Sequence, residues 1–254
     1  MKAVIFDLDN TLFDHTGSAE AAVRAWLPSL GADPSDALVA EWFAIEDRVY
    51  PRWLAGELTH QGQRRARLHE FLPLVGHPVP ATEPEQDEFF TGYLNLYKSH
   101  WSAYPDARPA LELAQGNGWR IGVLTNGSTV QQNAKLETIG LAPLVDVVCT
   151  TESLGVSKPD PQSYLQTCAH LGVHPAETLM IGDNLALDVE GAQAAGLTAR
   201  HLNRPAGNLL TDLLPRTWKR YDEVADVLRP RTDADWPTDR DRINQDVVNP
   251  HQDR

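Results

Sequence analysis

Short apolar runs that stop abruptly at polar turn residues recur along this chain, and they constrain its fold more than any other feature. The first is Ala3-Val4-Ile5-Phe6, followed at once by Asp7-Leu8-Asp9. The pattern returns in Arg120-Ile121-Gly122-Val123-Leu124 before Thr125-Asn126-Gly127, and in Val145-Asp146-Val147-Val148-Cys149 before Thr150. It returns again in Thr178-Leu179-Met180-Ile181 before Gly182-Asp183-Asn184, and in Thr198-Ala199-Arg200-His201-Leu202 before Asn203. Such runs suit strands buried on both faces of a parallel sheet. Segments with helical spacing over 106–117, 129–139, 161–171 and 186–195 separate them. Strands alternating with helices imply right-handed βαβ units, and so an α/β fold built on a doubly wound parallel sheet. Ligands of such sheets sit beyond the carboxyl ends of the strands, where these polar residues fall.

The stretch 16–100 reads differently. Trp26-Leu27-Leu30 and Trp42-Phe43-Ile45-Val49 have helical spacing, with breakers at Gly31-Ala32-Asp33-Pro34, Gly56, Gly76-His77-Pro78 and Thr82-Glu83-Pro84. About four helices and no strand are expected there, inserted between the first two strands. The core is then discontinuous, 1–15 plus 101–230. Residues 231–254, charged and proline-broken, are expected to form a mobile tail.

Charge and cysteine content narrow the function classes. With 35 acidic against 22 basic residues the net charge is −13, which opposes binding to a nucleic-acid polymer. A small anionic substrate would need a metal or a local positive site. Two cysteines, Cys149 and Cys168, offer neither a disulfide framework nor a zinc site, and fit a reducing cytoplasm. No segment has the run of apolar residues that spans a membrane, and the opening segment is broken by Asp7 too early for a signal peptide.

Four clusters carry chemistry. Asp7 and Asp9 stand two apart in an extended segment, so their side chains leave the strand end on one side. Thr125-Asn126-Gly127-Ser128 offers a hydroxyl, an amide and free N–H groups at a helix start, suited to an anion or to capping. In Gly155-Val156-Ser157-Lys158-Pro159-Asp160-Pro161 the lysine is a fixed point charge ahead of a proline. Gly182-Asp183-Asn184-Leu185-Ala186-Leu187-Asp188 adds two further carboxylates. Each is expected after a different strand of one parallel sheet, on the same edge. Hard oxygen donors suit Mg²⁺, and a carboxylate nucleophile with a lysine clamp suits phosphoryl transfer.

The ordered set DLDNTL, LTNG, SKPDP and GDNLALD resembles the four motifs of the haloacid dehalogenase superfamily of hydrolases, over roughly residues 1–230. The resemblance implies a Rossmann-like core with a C1-type helical cap, and a phosphatase acting on a small phosphorylated metabolite, a nucleotide or sugar phosphate. It implies Asp7 as nucleophile forming an aspartyl-phosphate, and Asp9 as acid/base. Mg²⁺ would be held by the Asp7 carboxylate, the Asp9 backbone carbonyl and the Asp183 carboxylate. Thr125 and the Asn126 region would bind phosphate oxygens, Lys158 would balance their charge, and Asp188 would orient Lys158 or a metal-bound water. A free aspartate has a pKa of about 3.9, so Asp9 needs a raised pKa to act as an acid with substrate bound.

Other readings on the same core are a phosphomutase, a 2-haloacid dehalogenase and a non-catalytic binding protein. The namesake dehalogenases lack the second aspartate, which Asp9 supplies here, and a non-catalytic relative would have lost Asp7, Asp9, Lys158 or Asp183. Asn10 after the first motif, and the TNG-type second motif with Gln131-Gln132 and Lys135 following, resemble a branch containing nucleotidases and acylneuraminate-phosphate phosphatases. His15, Trp53, Arg64 and Arg67 are the candidates to face the substrate. Trp53 could equally pack in the cap core, and the two arginines share a helix face that could be solvated.

Overall fold

The structure is a computed structural model, and it describes residues 1–215. The expectations for 216–230 as core and for 231–254 as a tail lie outside the described residues. The chain runs β1 (Ala3–Phe6), then α1 (His15–Trp26), α2 (Asp36–Leu54), α3 (His60–Phe71) and α4 (Glu83–Ser99). It continues with α5 (Ala107–Gly116), β2 (Arg120–Thr125), α6 (Thr129–Thr138), β3 (Val147–Thr150), α7 (Thr151–Leu154) and α8 (Pro161–Leu171). After β4 (Thr178–Gly182) comes a π-helical segment, Leu185–Glu190, then α9 (Gly191–Ala194), β5 (Thr198–His201) and α10 (Leu210–Leu213).

The five strands form one sheet in the order β3-β2-β1-β4-β5, every neighbouring pair parallel. β1 lies at its centre, with Phe6 paired to Val123 on one side and to Ile181 on the other. Its four residues are fully buried. Val4 and Phe6 pack with Ile121, Val123 and Ile181 on one face, and Ala3 and Ile5 with Leu124 and Met180 on the other. Both faces are thus covered, which is why the strand reads as an unbroken apolar run. β3 starts later than the apolar run suggests, because Asp146 turns its carboxylate to accept from the Ile121 N–H at 2.7 Å.

The segment between β1 and β2 is helical, as expected. Asp14, Ser35 and Thr59 accept hydrogen bonds from the first turns of α1, α2 and α3, and Thr82 with Glu85 forms a capping box on α4. An aromatic cluster holds these helices together. Trp42 is fully buried, its ring 4.9 Å from Phe71 and 4.7 Å from Tyr93, and its indole N–H donates to the Tyr93 hydroxyl. Each such pair adds roughly 0.5–1.5 kcal/mol beyond its buried area. Among the described residues no helix is long and apolar enough to cross a membrane.

Candidate active site

The strand order brings the four clusters to one cleft of about 380 Å³, lined by residues from the ends of β1, β2 and β4 and from helices α2, α3, α4 and α6. Asp7 leaves the centre of the sheet and is 7% exposed. Lys158 Nζ donates to Asp7 Oδ1 at 2.7 Å and to Asp188 Oδ1 at 2.6 Å. Asp188 is pinned in turn, its Oδ2 accepting from the Asn184 N–H at 3.0 Å. The Lys158 backbone is held as well: its N–H donates to Asn126 Oδ1 and its carbonyl accepts from Asn126 Nδ2, both at 2.9 Å. Asn126 therefore uses its amide mainly to place Lys158.

Asp7, Asp183 and Asp188 each offer a carboxylate oxygen within 4.8 Å of the others. Burial, then the charges of Asp188 and Asp183, push the Asp7 carboxyl up to about 8 against the pull of Lys158. Burial and Asp188 likewise raise Asp183 to about 6. Desolvation works against the charge on Lys158, but Asp188 and Asp7 more than offset it and keep the ammonium protonated. One cation among three carboxylates leaves a surplus of negative charge on hard oxygen donors. A divalent ion such as Mg²⁺ fits that surplus.

Asp9 sits in a different environment. Lys135 Nζ donates to its Oδ1 at 2.5 Å and Gln132 Nε2 to its Oδ2 at 2.9 Å. Burial alone would raise its pKa, but Lys135, His15 and these hydrogen bonds hold it below the usual carboxylate range. Gln132 Nε2 also donates to Thr125 Oγ1 at 2.6 Å, which fixes the hydroxyl at the end of β2. Lys135 is buried over the Phe13 ring at 4.6 Å.

His15, Trp53, Arg64 and Arg67 all line the cleft, together with Tyr50 and Tyr97. His15 Nδ1 lies 2.7 Å from the Tyr97 hydroxyl. Arg67 is neither solvated nor free: it is 5% exposed, pairs with Glu46 and stacks 4.2 Å over Trp42. Three supporting side chains escaped the sequence reading. Gln132 and Lys135 stood there only as marks of a branch, although their i, i+3 spacing puts them on one face of α6. Arg204 had no signal; it donates to the carbonyls of Asn10 and Thr11 at 3.1 and 2.5 Å and fixes the loop after β1. In that loop Asn10 takes a positive φ of 62° and accepts from the Thr16 N–H and hydroxyl.

A ribulose-1,5-bisphosphate 5-phosphatase of Halopiger xanaduensis is 32% identical over 91% of this chain and 98% of its own length. A glyceraldehyde 3-phosphate phosphatase of Methanopyrus kandleri is 29% identical over 91% of this chain and 94% of its own. Among solved structures, the L-2-haloacid dehalogenase of Xanthobacter autotrophicus superposes with a TM-score of 0.62 at 28% identity, covering 81% of this chain and 80% of that one. The family model for haloacid dehalogenase-like hydrolases matches residues 1–196. With that match laid over the sheet edge that gathers Asp7, Lys158, Asp183 and Asp188, the chain belongs to the haloacid dehalogenase-like hydrolases.

Proposed function

We propose that the protein is a Mg²⁺-dependent phosphomonoesterase that works through a phosphorylated Asp7. It is a phosphatase of its family, acting on small phosphorylated metabolites such as those named for its relatives. The observation that carries this reading is the unlike treatment of two neighbouring carboxylates: Asp7 shares Lys158 with Asp188, whereas Asp9 is held apart by Lys135 and Gln132. Asp9 also sets the chain apart from the dehalogenase reading.

In the reaction, an Asp7 oxygen forms a bond to phosphorus as the bond to the ester oxygen breaks. Asp9 gives its proton to the departing oxygen, then takes one from a water that attacks the aspartyl-phosphate. Phosphate leaves and the Asp7 carboxylate is restored. Thr125 and the Asn126 backbone orient the phosphoryl oxygens, and Lys158 balances their charge. The Asp7 and Asp183 carboxylates with the Asp9 carbonyl would hold Mg²⁺, which neutralises charge on the phosphoryl oxygens. Asp188 keeps Lys158 in place. Because Asp9 is held ionised without substrate, its proton must come with substrate binding, when an added dianion and loss of water raise its pKa. Residues 16–100 serve as the helical cap over a core of 1–15 and 101–230, excluding water when closed.

The test is phosphate release from a generic phosphomonoester with Mg²⁺ and then with chelator, beside halide release from a 2-haloacid. Metal-dependent phosphate release that vanishes in Asp7→Asn is expected. Halide release without phosphate release would overturn the assignment.

A further inference from the structure

Helix α3 turns a polar stripe into the cleft. His60, Gln63, Arg64 and Arg67 stand at i, i+3, i+4 and i+7, the spacing of one helix face, and all four line the cavity that holds Asp7 and Lys158. An inward stripe of that spacing is ordinarily apolar. The cations around the cavity differ in how they are used. Lys158 is taken by Asp7 and Asp188, Lys135 by Asp9, and Arg67 by Glu46 at 2.8 and 3.3 Å. Arg64 makes no hydrogen bond or ion pair among the described residues; its guanidinium lies 5.6 Å from the Phe90 ring. It is half-buried, and burial followed by the charge of Arg67 lowers its pKa. The one carboxylate whose charge opposes this shift, Asp87 on α4, is already paired with Arg65, and a partly desolvated guanidinium with no ion-pair partner of its own is costly unless a ligand supplies one. On the acidic side only Asp47, exposed, and Glu46, already paired, line this part of the cleft from α2.

The ester phosphate has its cation in Lys158. We infer that Arg64 receives a second anionic group of the substrate, a carboxylate or a further phosphate, so that the preferred substrates are phosphomonoesters carrying two anionic ends. The planar guanidinium fork matches either group. The inference rests on the phosphatase reading above and deepens it.

The experiment compares matched esters in wild type, Arg64→Gln and Arg64→Lys. Phosphoglycolate is set against 2-hydroxyethyl phosphate, and propane-1,3-diol bisphosphate against 3-hydroxypropyl phosphate. In each pair the kcat/KM ratio of dianionic-ended to neutral-ended ester is the readout, which a general loss of folding does not move. In at least one pair the ratio should favour the doubly anionic ester in wild type and fall at least about fivefold in Arg64→Gln, through KM, with partial return in Arg64→Lys. The pair that responds tells carboxylate from phosphate. A smaller change in both ratios, or an equal loss on both members of each pair, overturns the inference and leaves the phosphatase reading standing. A wild type that hydrolyses none of the four esters overturns both.

Discussion

At the scale of single residues, the cleft gives two neighbouring carboxylates opposite environments. Asp7 is buried among like charges, so its folded pKa, about 8, lies above that of the unfolded chain. A raised carboxyl pKa gives stability that is complete below the unfolded value of about 3.9 and is lost as pH rises through about 8. Asp7→Asn removes that penalty. The metal-free variant should therefore melt higher than wild type at pH 8, and the gap should close towards pH 4 and on adding Mg²⁺, which calorimetry measures. On the proposed mechanism, in which Asp7 is the nucleophile, the same variant should lose phosphate release by roughly a thousandfold or more. Asp9 moves the other way. Its pKa is lowered, and the charge of Lys135 is the largest influence that opposes burial. In Lys135→Met the Asp9 pKa rises, so the base form needed to activate water survives only at higher pH. The acidic limb of the kcat profile should shift upward in pH, with a fall of about 10–100-fold at neutral pH. An unmoved limb would remove Lys135 from this role.

Elements place these residues, and one glycine shows how tightly. Gly182 ends β4, and a Cβ there would lie 2.2 Å from Asp188 Oδ2 and 2.6 Å from its Cβ. Only a residue without a side chain lets Asp188 fold back to Lys158. Gly182→Ala should cost about 1–3 kcal/mol in a urea titration and lower kcat together with stability, as Lys158 loses one of its two anchors. This contact also marks what the sequence could and could not convey. The strands were legible because burial on both faces leaves an unbroken apolar run, and the helices because Gly-Pro breakers and Ser/Thr/Asp caps bound them. Where 186–195 read as one regular helix, the chain instead makes a π-helical turn, Leu185–Glu190, before α9. The Tyr164 hydroxyl donates to the Leu187 carbonyl and the Asn184 side chain accepts from the Leu187 N–H, contacts that no periodicity encodes. Lys135 reaching Asp9 across 126 positions depends on the sheet order, which the apolar runs alone leave open.

For the described part of the molecule as a whole, the question is what keeps the loop after β1 fixed while helices enter and leave beside it. Phe13 pairs with Ala103 in an isolated antiparallel bridge, and the Tyr104 N–H donates to the Leu12 carbonyl, so the outgoing and returning chains touch at one place. Arg204, arriving after β5, clasps that junction. Its guanidinium lies 3.5 Å over the Tyr104 ring, pairs with Asp106 and donates to the carbonyls of Asn10 and Thr11. Asp106 in turn accepts from the Leu210 N–H at 2.8 Å, which brings in α10. Three distant stretches thus depend on one side chain that is 17% exposed. Removing it leaves a nearly buried carboxylate and two carbonyls without their donor, a loss of about 2–4 kcal/mol. Arg204→Ala should therefore lower Tm by roughly 5–15 °C. It should also reduce kcat/KM at temperatures well below the transition, because Asn10 and Thr11, next to Asp9 in the loop, lose their support. Arg204→Lys should recover little of either, since an ammonium cannot serve two carbonyls and Asp106 while stacking on a ring. Full recovery by lysine would mean that only the charge matters here, and that the clasp is not what holds the loop.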